Sequence, residues 1–276
     1  MAADQAPGSA GVRRAFFDAP EGQIHYRTAG LGPAVLLLHQ TPRSSDEYRD
    51  VLPILAPDFR VLAMDTVGYG DSYKPARPCG IEDYARGALA LLDGLGLRSA
   101  AVVGHHTGAV IAIELAASHP ERVQRLVLSA SPFIDAAERA RRQGRAVVDH
   151  VTEQMDGSHL VELWRGRQAF YPAGRTDLLA RFLADALKAG EKIREGHEAC
   201  SAYRMEGALA RIRCPTLVVC GTEDPFSFPK MEIVARHIPG SVARPIPGGT
   251  VAVVDQMPEI FAATIHDFLR GTAPAR

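Results

Sequence analysis

The run Gly104-His105-His106-Thr107-Gly108 combines two glycines with a pair of histidines, residue types that could do chemistry at a sharp turn. Its glycine spacing is that of a nucleophile elbow, G-x-S-x-G, with His106 in the position of the serine. In such an elbow the glycines allow the tight turn, and the central side chain is held above the sheet. An imidazole in that place can act as a general base or as a nucleophile. The run therefore predicts a reactive histidine and leaves the reaction open.

An elbow of this kind needs a strand before it and a helix after it, and the sequence predicts both. Residues 100–103 form an apolar run typical of a buried strand, and residues 108–117 are small and apolar, typical of a packed helix. The same alternation continues along most of the chain, which predicts an α/β fold with a mostly parallel eight-stranded sheet and helices on both faces. The predicted strands are 14–17, 23–28, 34–38, 60–64, 100–103, 125–129, 216–220 and 243–246.

Strand patterns disappear between about residues 133 and 204, where charged helical segments dominate. We therefore predict a core formed by residues 1–133 and 205–276 and an inserted helical cap formed by residues 134–204, with residues 1–11 disordered. The predicted helices are 45–55, 81–95, 108–117, 136–149, 176–188, 229–237 and 259–269.

Composition excludes several classes of partner. The formal net charge of −1 gives no electrostatic reason to expect nucleic acid or an anionic membrane. No apolar run approaches the roughly 20 residues needed to cross a bilayer, and the N-terminus lacks the apolar segment of a secretory signal. The four cysteines have no C-x-x-C spacing. We expect a cytoplasmic protein that acts on a small molecule and that could form a homodimer.

Four separated segments resemble the α/β-hydrolase superfamily over about residues 16–269. Residues 39–42, His-Gln-Thr-Pro, resemble the HGxP oxyanion loop, and residues 65–72 resemble the DxxGxGxS loop. Residues 104–108 occupy the elbow, and residues 214–225 resemble the CPTLVVxGxxDP segment that supplies the catalytic acid of the family. The resemblance implies an α/β-hydrolase fold with an inserted cap, and it assigns Asp224 as the acid.

The departures from the family pattern concern the catalytic residues themselves. His106 replaces the elbow serine, and Val251 stands where the catalytic histidine of the family would be. A histidine is longer than a serine by one ring, and Val251 leaves empty the space of the missing imidazole. The ring of His106 is therefore expected to reach Asp224 and to form a His–Asp dyad, with one ring nitrogen facing the carboxylate and the other facing the pocket.

The resemblance also implies an oxyanion hole and a substrate pocket. Gln40 stands where glycine is usual, and its backbone N–H is expected to pair with that of Thr107 as oxyanion donors. Arg165 and Arg167 are expected on the solvated surface, with contact to a ligand carboxylate as the alternative. The residues expected to line the pocket are His39, Thr41, His105, Phe133, Trp164, Phe170, Tyr171 and Val251.

Neither a cofactor nor a metal is expected. Adjacent histidines on a sharp turn point apart, and no carboxylate has an obvious ligand spacing to His39, His105 or His106.

The expected function is that of a cofactor-independent enzyme on a small, mostly apolar organic substrate, with the His106–Asp224 dyad as general base for water activation or substrate deprotonation. Two alternatives remain open: a lyase or isomerase on the same scaffold, and a catalytically silent ligand-binding protein. An acyl-imidazole on His106, or a serine hydrolase that uses Ser72, Ser129 or Ser131, is a further alternative.

Overall fold

The computed structural model describes residues 11–144 and 147–272. Its eight strands form one sheet in the order β1-β2-β4-β3-β5-β6-β7-β8. All eight lie where the sequence predicts them. Apart from Gly11, the segment predicted to be disordered lies outside the described residues. The strands are β1 Arg13–Ala19, β2 Gly22–Ala29, β3 Ala34–Leu38, β4 Arg60–Met64, β5 Ala100–His105, β6 Val123–Ser129, β7 Thr216–Gly221 and β8 Val242–Ile246.

The sheet is parallel except at one edge. β2 pairs antiparallel with both β1 and β4, whereas every pair from β4 to β8 is parallel. β3 and β5 lie at the centre, and Leu38 is paired with Gly104 at their carboxyl ends. Because the parallel strands end at the same edge, the loops that follow β3, β5 and β7 meet there, which is where open α/β sheets place their ligands.

Four helices of the described residues are not predicted from the sequence, and two predicted helices have different limits in the structure. The four are Ser158–Gln168, Lys192–Ala202, Met205–Leu209 and Val253–Gln256. Two short 3₁₀ helices, Ser45–Tyr48 and Pro120–Arg122, accompany them. The helices are α1 Leu52–Leu55, α2 Ile81–Gly94, α3 Thr107–Ser118, α4 Ala136–Arg142, α5 Ser158–Gln168, α6 Thr176–Ala189, α7 Lys192–Ala202, α8 Met205–Leu209, α9 Phe228–Arg236, α10 Val253–Gln256 and α11 Pro258–Arg270.

Two differences from the predicted helices have local causes. The predicted helix 45–55 is broken into a 3₁₀ turn and α1, because Pro53 lacks the N–H that a continuous helix requires and its ring would collide with the preceding turn. The predicted helix 136–149 ends at Arg142, because Gly144 adopts a left-handed conformation (φ 73°).

Apolar side chains fill both faces of the sheet. In β3, Leu36 and Leu38 belong to the layer covered by α2 and α3, whereas Val35 and Leu37 belong to the layer covered by α1 and α11. This alternation follows from the two-residue period of a strand, and it buries β3 on both sides.

Helices α4 to α8 are inserted between β6 and β7. They lie close to the carboxyl-end loops: a Cβ at Gly196 of α7 would overlap the hydroxyl of Tyr69. The division of the chain into a core and a cap at residues 133/134 and 204/205 stays a prediction. Among the residues in the two described ranges, no helix combines the length and apolar character needed to span a membrane.

Candidate functional site

The elbow holds His106 in a backbone conformation that few side chains adopt. β5 ends at His105 and α3 begins at Thr107, so His106 alone makes the turn, with φ 46° and ψ −109°. Glycine is required at both flanking positions, because neighbouring backbone lies too close to leave room for a Cβ atom. A Cβ at Gly104 would overlap the carbonyl of Gly108, and a Cβ at Gly108 would overlap the carbonyl of Leu38. A strained turn kept in place by its surroundings is a common property of active sites.

The imidazole of His106 faces Asp224. Its Nε2 lies 3.1 Å from Oδ2 of Asp224, and both side chains are largely buried, with 17% and 0% exposed. The two atoms are not aligned for a hydrogen bond, and neither has another hydrogen-bond partner in the described part of the chain. The pair is therefore a close electrostatic contact, and a small rotation of the ring would convert it into a hydrogen bond. Such alignment often improves when a ligand binds.

Asp224 is held by backbone donors as well as by the histidine. Its Oδ1 accepts hydrogen bonds of 2.9 Å from the backbone N–H groups of Phe226 and Ser227. Burial raises the pKa of this carboxyl, but the nearby His106 and these two N–H groups outweigh burial and lower the pKa to about 2. Asp224 is consequently ionised at neutral pH.

A third polar side chain, Ser227, contacts the other ring nitrogen of His106. Its Oγ lies 3.4 Å from Nδ1, and the residue is 1% exposed. Ser227 is not among the serines that the sequence suggested as substitutes, which were Ser72, Ser129 and Ser131. The available signal was the spacing Asp-Pro-Phe-Ser, which places a hydroxyl three residues after Asp224 and directly before the first residue of α9.

The predicted oxyanion donors need a correction at Gln40. The backbone N–H of Gln40 donates to Oε2 of Glu47 at 3.0 Å, and its side-chain amide donates to Oε1 at 2.6 Å. Because Glu47 is buried, both donors of Gln40 are committed to it. The next residue offers a replacement: the N–H of Thr41 donates to Oγ1 of Thr107 at 3.2 Å. A rotation of that hydroxyl would free the donor.

Thr107 is the second predicted oxyanion donor, and this role stays a prediction. As the first residue of α3 it has no intrahelical acceptor for its N–H. The N–H groups of Thr41 and Thr107 are therefore the two candidate oxyanion donors beside His106.

A cavity of about 1120 Å³ lies above the elbow. Its floor contains His106, Thr107 and Ser227, and its side walls come from β6–α4, from α5 and α7, and from the loop after β7. Its apolar lining includes Phe133, Ile134, Phe226 and Val251. Of the predicted pocket residues, Thr41, Phe133 and Val251 lie on the cavity, as do Gln40 and Thr107.

Two predicted pocket histidines lie beneath the cavity instead. The ring of His39 contacts the carbonyl of Gln40 through Nδ1 (2.9 Å) and accepts a hydrogen bond from the N–H of Thr66 at Nε2 (3.0 Å), so it links two loops. The ring of His105 contacts Oγ of Ser129 at 2.9 Å and the carbonyl of Val251 at 3.1 Å. Both rings are fully engaged in the interior, and neither belongs to the cavity lining.

The three predicted aromatic residues of the insertion also lie outside the cavity lining. Trp164 lines a separate groove of about 350 Å³. Phe170 packs behind Phe226, with ring centroids 4.9 Å apart, and Tyr171 packs against Phe182 at 6.0 Å. Sequence reasoning cannot distinguish an aromatic residue that supports a wall from one that forms it, because both are apolar and close to the same helices.

Within the described ranges, His25, Asp65 and Asp71 form a group whose geometry could hold a metal ion. Their atoms are already used by the loop: Oδ2 of Asp65 contacts Nδ1 of His25 at 2.8 Å and accepts from the N–H of Asp71 at 2.7 Å. Oδ1 accepts from the N–H of Ser45 at 2.6 Å. These contacts account for Asp65 as a residue that shapes the loop, and the absence of a metal remains a prediction.

Comparison with known proteins decides the family. Residues 33–250 match the family model described as alpha/beta hydrolase fold, and this range extends from β3 to the loop that precedes Val251. The chain belongs to the α/β hydrolase fold family.

Curated α/β hydrolase relatives match part of the chain. A haloalkane dehalogenase from Mesorhizobium japonicum is 39% identical over 120 residues, which are 43% of this chain and 38% of that protein. Bifunctional epoxide hydrolase 2 from Sus scrofa is 37% identical over 121 residues, which are 42% of this chain and 21% of that protein. The chain thus spans well under half the length of each of these relatives.

Solved structures match almost the whole fold. A hydrolase from Pseudomonas aeruginosa superposes with a TM-score of 0.79 at 26% identity, covering 94% of this chain and 99% of that one. An enol-lactonase from Burkholderia xenovorans superposes with a TM-score of 0.77 at 22% identity, covering 93% of this chain and 100% of that one. The second likeness shows the fold alone.

Proposed function

We propose that this α/β hydrolase-fold protein is a cofactor-independent enzyme that hydrolyses a small organic substrate, with His106 as the general base and Asp224 as the residue that orients it. The observation that carries the proposal is the 3.1 Å separation of Nε2 of His106 from Oδ2 of Asp224 at the floor of the cavity. Sequence similarity to a dehalogenase and to epoxide hydrolases supports hydrolytic chemistry.

The two ring nitrogens have different tasks in this proposal. Nε2 carries its proton towards the ionised Asp224, so Nδ1 is the nitrogen with the free lone pair. A water molecule that displaces the Ser227 hydroxyl from Nδ1 would lie between the base and a substrate in the cavity. Asp224 then stabilises the imidazolium that forms when Nδ1 takes a proton.

For an ester or a lactone, the steps follow from this arrangement. Nδ1 removes a proton from water while the water oxygen bonds to the carbonyl carbon, and the carbonyl electron pair moves to the oxygen. The N–H groups of Thr41 and Thr107 would stabilise that oxyanion. When the intermediate collapses, the bond to the leaving oxygen breaks, and the imidazolium returns its proton to that oxygen.

The Ser227 contact favours a second candidate, a serine hydrolase with a rearranged triad. Here Nδ1 of His106 would remove the proton from Oγ of Ser227, which lies 3.4 Å away, and the serine would form an acyl-enzyme. Ser227 is 1% exposed, so its hydroxyl would have to turn towards the substrate. We rank this below direct water activation. In the water route the hydroxyl only has to leave Nδ1, whereas in the serine route this buried hydroxyl must also reach the substrate as the nucleophile.

A substrate panel with two variants tests the proposal and separates it from the second candidate. Wild type, His106→Ala and Ser227→Ala are assayed with esters, lactones, epoxides and 1,3-dicarbonyls. His119→Ala, at a histidine outside the cavity lining, is the control. We expect His106→Ala to lose about 10²–10⁴-fold in kcat/KM, with little change in Ser227→Ala and in the control.

Four other outcomes of this panel would support a different mechanism or function. Equal turnover by wild type and His106→Ala removes His106 from the mechanism. Loss of activity in Ser227→Ala, together with labelling of Ser227 by a fluorophosphonate, establishes the serine mechanism. Elimination or isomerisation products that depend on His106 keep the base and change the reaction class. A ligand that stabilises the protein and stays chemically unchanged supports a silent binding protein.

A further inference from the structure

Arg167 has donors that the protein does not use. It lies in α5 and lines the cavity, yet its side chain is 6% exposed. One nitrogen pairs with Asp149, and the guanidinium carbon lies 4.6 Å from the ring centroid of Phe182. Its Nε has no hydrogen-bond partner in the parts of the chain that the structure describes. A buried guanidinium with an unused donor is costly unless a ligand supplies an acceptor.

His197 of α7 provides a second unused donor in the same cavity. Its Nε2 lies 3.8 Å from Oδ2 of Asp149, which is too far for a hydrogen bond, and it is buried without a partner in the described ranges. Asp149 therefore lies near both Arg167 and His197 but accepts a hydrogen bond only from Arg167. A planar group with two oxygens, placed between α5 and α7, could accept from both.

Most of the other basic residues that line the cavity are paired with carboxylates. Arg139 forms two hydrogen bonds with Glu206, and Arg141 and Arg142 both pair with Glu138, so each of the three has a carboxylate partner. Lys230 of α9 also lines the cavity and has no carboxylate within 4.0 Å among the described residues. Unpaired positive charge therefore comes from Lys230, and unused directional donors come from Arg167 and His197.

We infer that the cavity holds a carboxylate-binding subsite, in which Arg167 and His197 bind the carboxylate of a small organic acid whose apolar body lies against Phe133 and Phe226. The substrate of the proposed reaction would then be an ester, lactone or related compound that also bears a carboxylate. That the bound acid is a substrate rests on the proposed function. Binding of a carboxylate at the subsite does not require turnover and can be measured independently. A guanidinium matches carboxylate geometry better than it matches a neutral amide.

The test measures binding of 4-phenylbutyrate and of its neutral analogue 4-phenylbutanamide by isothermal titration calorimetry at fixed ionic strength and pH 7.5. Wild type, Arg167→Gln and His197→Gln are compared. Arg165→Gln is the matched control, because Arg165 lies on the same helix, is exposed and does not line this cavity. We expect the carboxylate to bind wild type at least about tenfold more tightly than the amide, and Arg167→Gln to weaken the carboxylate by about tenfold or more.

The outcomes separate the subsite from the catalytic proposal. Equal affinity for acid and amide, no binding of either, or unchanged carboxylate affinity in both Arg167→Gln and His197→Gln overturns the subsite. If Arg167→Gln fails to fold, as judged by circular dichroism, His197→Gln carries the test alone. The same titration with His106→Ala gives the independent comparison: unchanged carboxylate binding is expected there, and it would keep the subsite even if the dyad proved inactive.

Discussion

The side chains of His106, which follows β5, and Asp224, which follows β7, are in contact although these two strands are not neighbours. Strand β6 lies between them in the sheet. The elbow after β5 and the loop after β7 nevertheless bring Nε2 and Oδ2 to 3.1 Å. The imidazole bridges this gap because it starts from the strained position at the centre of the elbow. A serine in that position would be too short to make the contact.

This relationship predicts the effect of Asp224→Asn. The substitution keeps the shape of the side chain but removes the charge that stabilises an imidazolium on His106, so we expect kcat/KM to fall by about 10²–10⁴-fold with little change in KM. The exposed neighbour Glu223 gives a matched control, since Glu223→Gln removes one carboxylate from the same loop. Steady-state kinetics on the substrate found in the panel measures both. Similar losses in the two variants would show that the effect is not specific to the dyad.

The glycine after the elbow predicts a stability effect that is independent of catalysis. We expect Gly108→Ala to destabilise the protein by more than about 2 kcal/mol, because the new Cβ would overlap the backbone carbonyl of Leu38 in the central strand β3. Gly166→Ala in α5 is the matched control: its Cβ would meet nothing within 4 Å, and alanine should stabilise this helix by up to about 1 kcal/mol.

Thermal and urea unfolding measure both glycine variants. A Gly108→Ala protein as stable as wild type would mean that the elbow can move away from β3, and the account of its tight packing would be wrong.

Much of the fold was accessible from the sequence because its signals are local. Strand β3, residues 100–103 of β5 and most of β7 are continuous apolar runs, and the elbow glycines have a fixed spacing. The central strands and the position of His106 therefore follow from patterns within a few residues. Helices α5, α7, α8 and α10 were not predicted, and in α7 Gly196 interrupts the helical pattern. That glycine is explained by the nearby Tyr69 hydroxyl, a contact between residues far apart in the chain.

The errors at the site have the same origin. Whether Gln40 is an oxyanion donor depends on Glu47, which takes both of its N–H donors, and only the folded loop shows this pairing. Arg167 was expected on the surface because arginine is rarely buried, and its burial depends on Asp149 and Phe182. The roles of Gln40 and Arg167 depend on which side chains they pair with in the folded chain, and neither composition nor residue spacing shows those pairings.

His105 predicts how stability changes with pH. Burial, and then the neighbouring His106, lowers the pKa of His105 to about 3, whereas in the unfolded chain it is about 6.5. Between these values the unfolded state binds more protons, so stability contributed by neutral His105 is complete above pH 6.5 and declines as the pH falls towards 3. From pH 8 to pH 5 the decline attributable to this residue should be about 2 kcal/mol.

Urea unfolding of wild type and of His105→Gln at pH 8 and pH 5 measures this decline. The variant lacks the titrating ring, so its free energy of unfolding should fall by about 2 kcal/mol less than that of wild type over the same interval. His237→Gln, at an exposed histidine, controls for the removal of a histidine as such. The same pH response in wild type and in His105→Gln would contradict a neutral, buried His105.

The last prediction concerns Arg43, a fully buried arginine that follows the Gln40–Pro42 segment. Its Nε donates to Oδ2 of Asp185 at 2.8 Å, and another nitrogen pairs with Asp255. Asp185 belongs to α6 of the insertion, so this ion pair connects the inserted helices to the sheet-end loops. Asp185→Asn would leave the buried guanidinium with one anion fewer, and we expect a loss of about 2 kcal/mol in the free energy of unfolding.

Arg194→Ala is the control for Asp185→Asn, because Arg194 forms an exposed ion pair with Glu198 and its removal should cost less than about 0.5 kcal/mol. Equilibrium unfolding in urea measures both changes. Limited proteolysis adds a second measurement, since loosening of α6 should increase cleavage within residues 134–204 before the sheet is cut. If Asp185→Asn unfolds and is cleaved as wild type is, the contact between Arg43 and α6 does not hold the insertion in place. The apolar packing of α6 and the ion pairs of Arg181 with Asp46 and Asp255 must then do so.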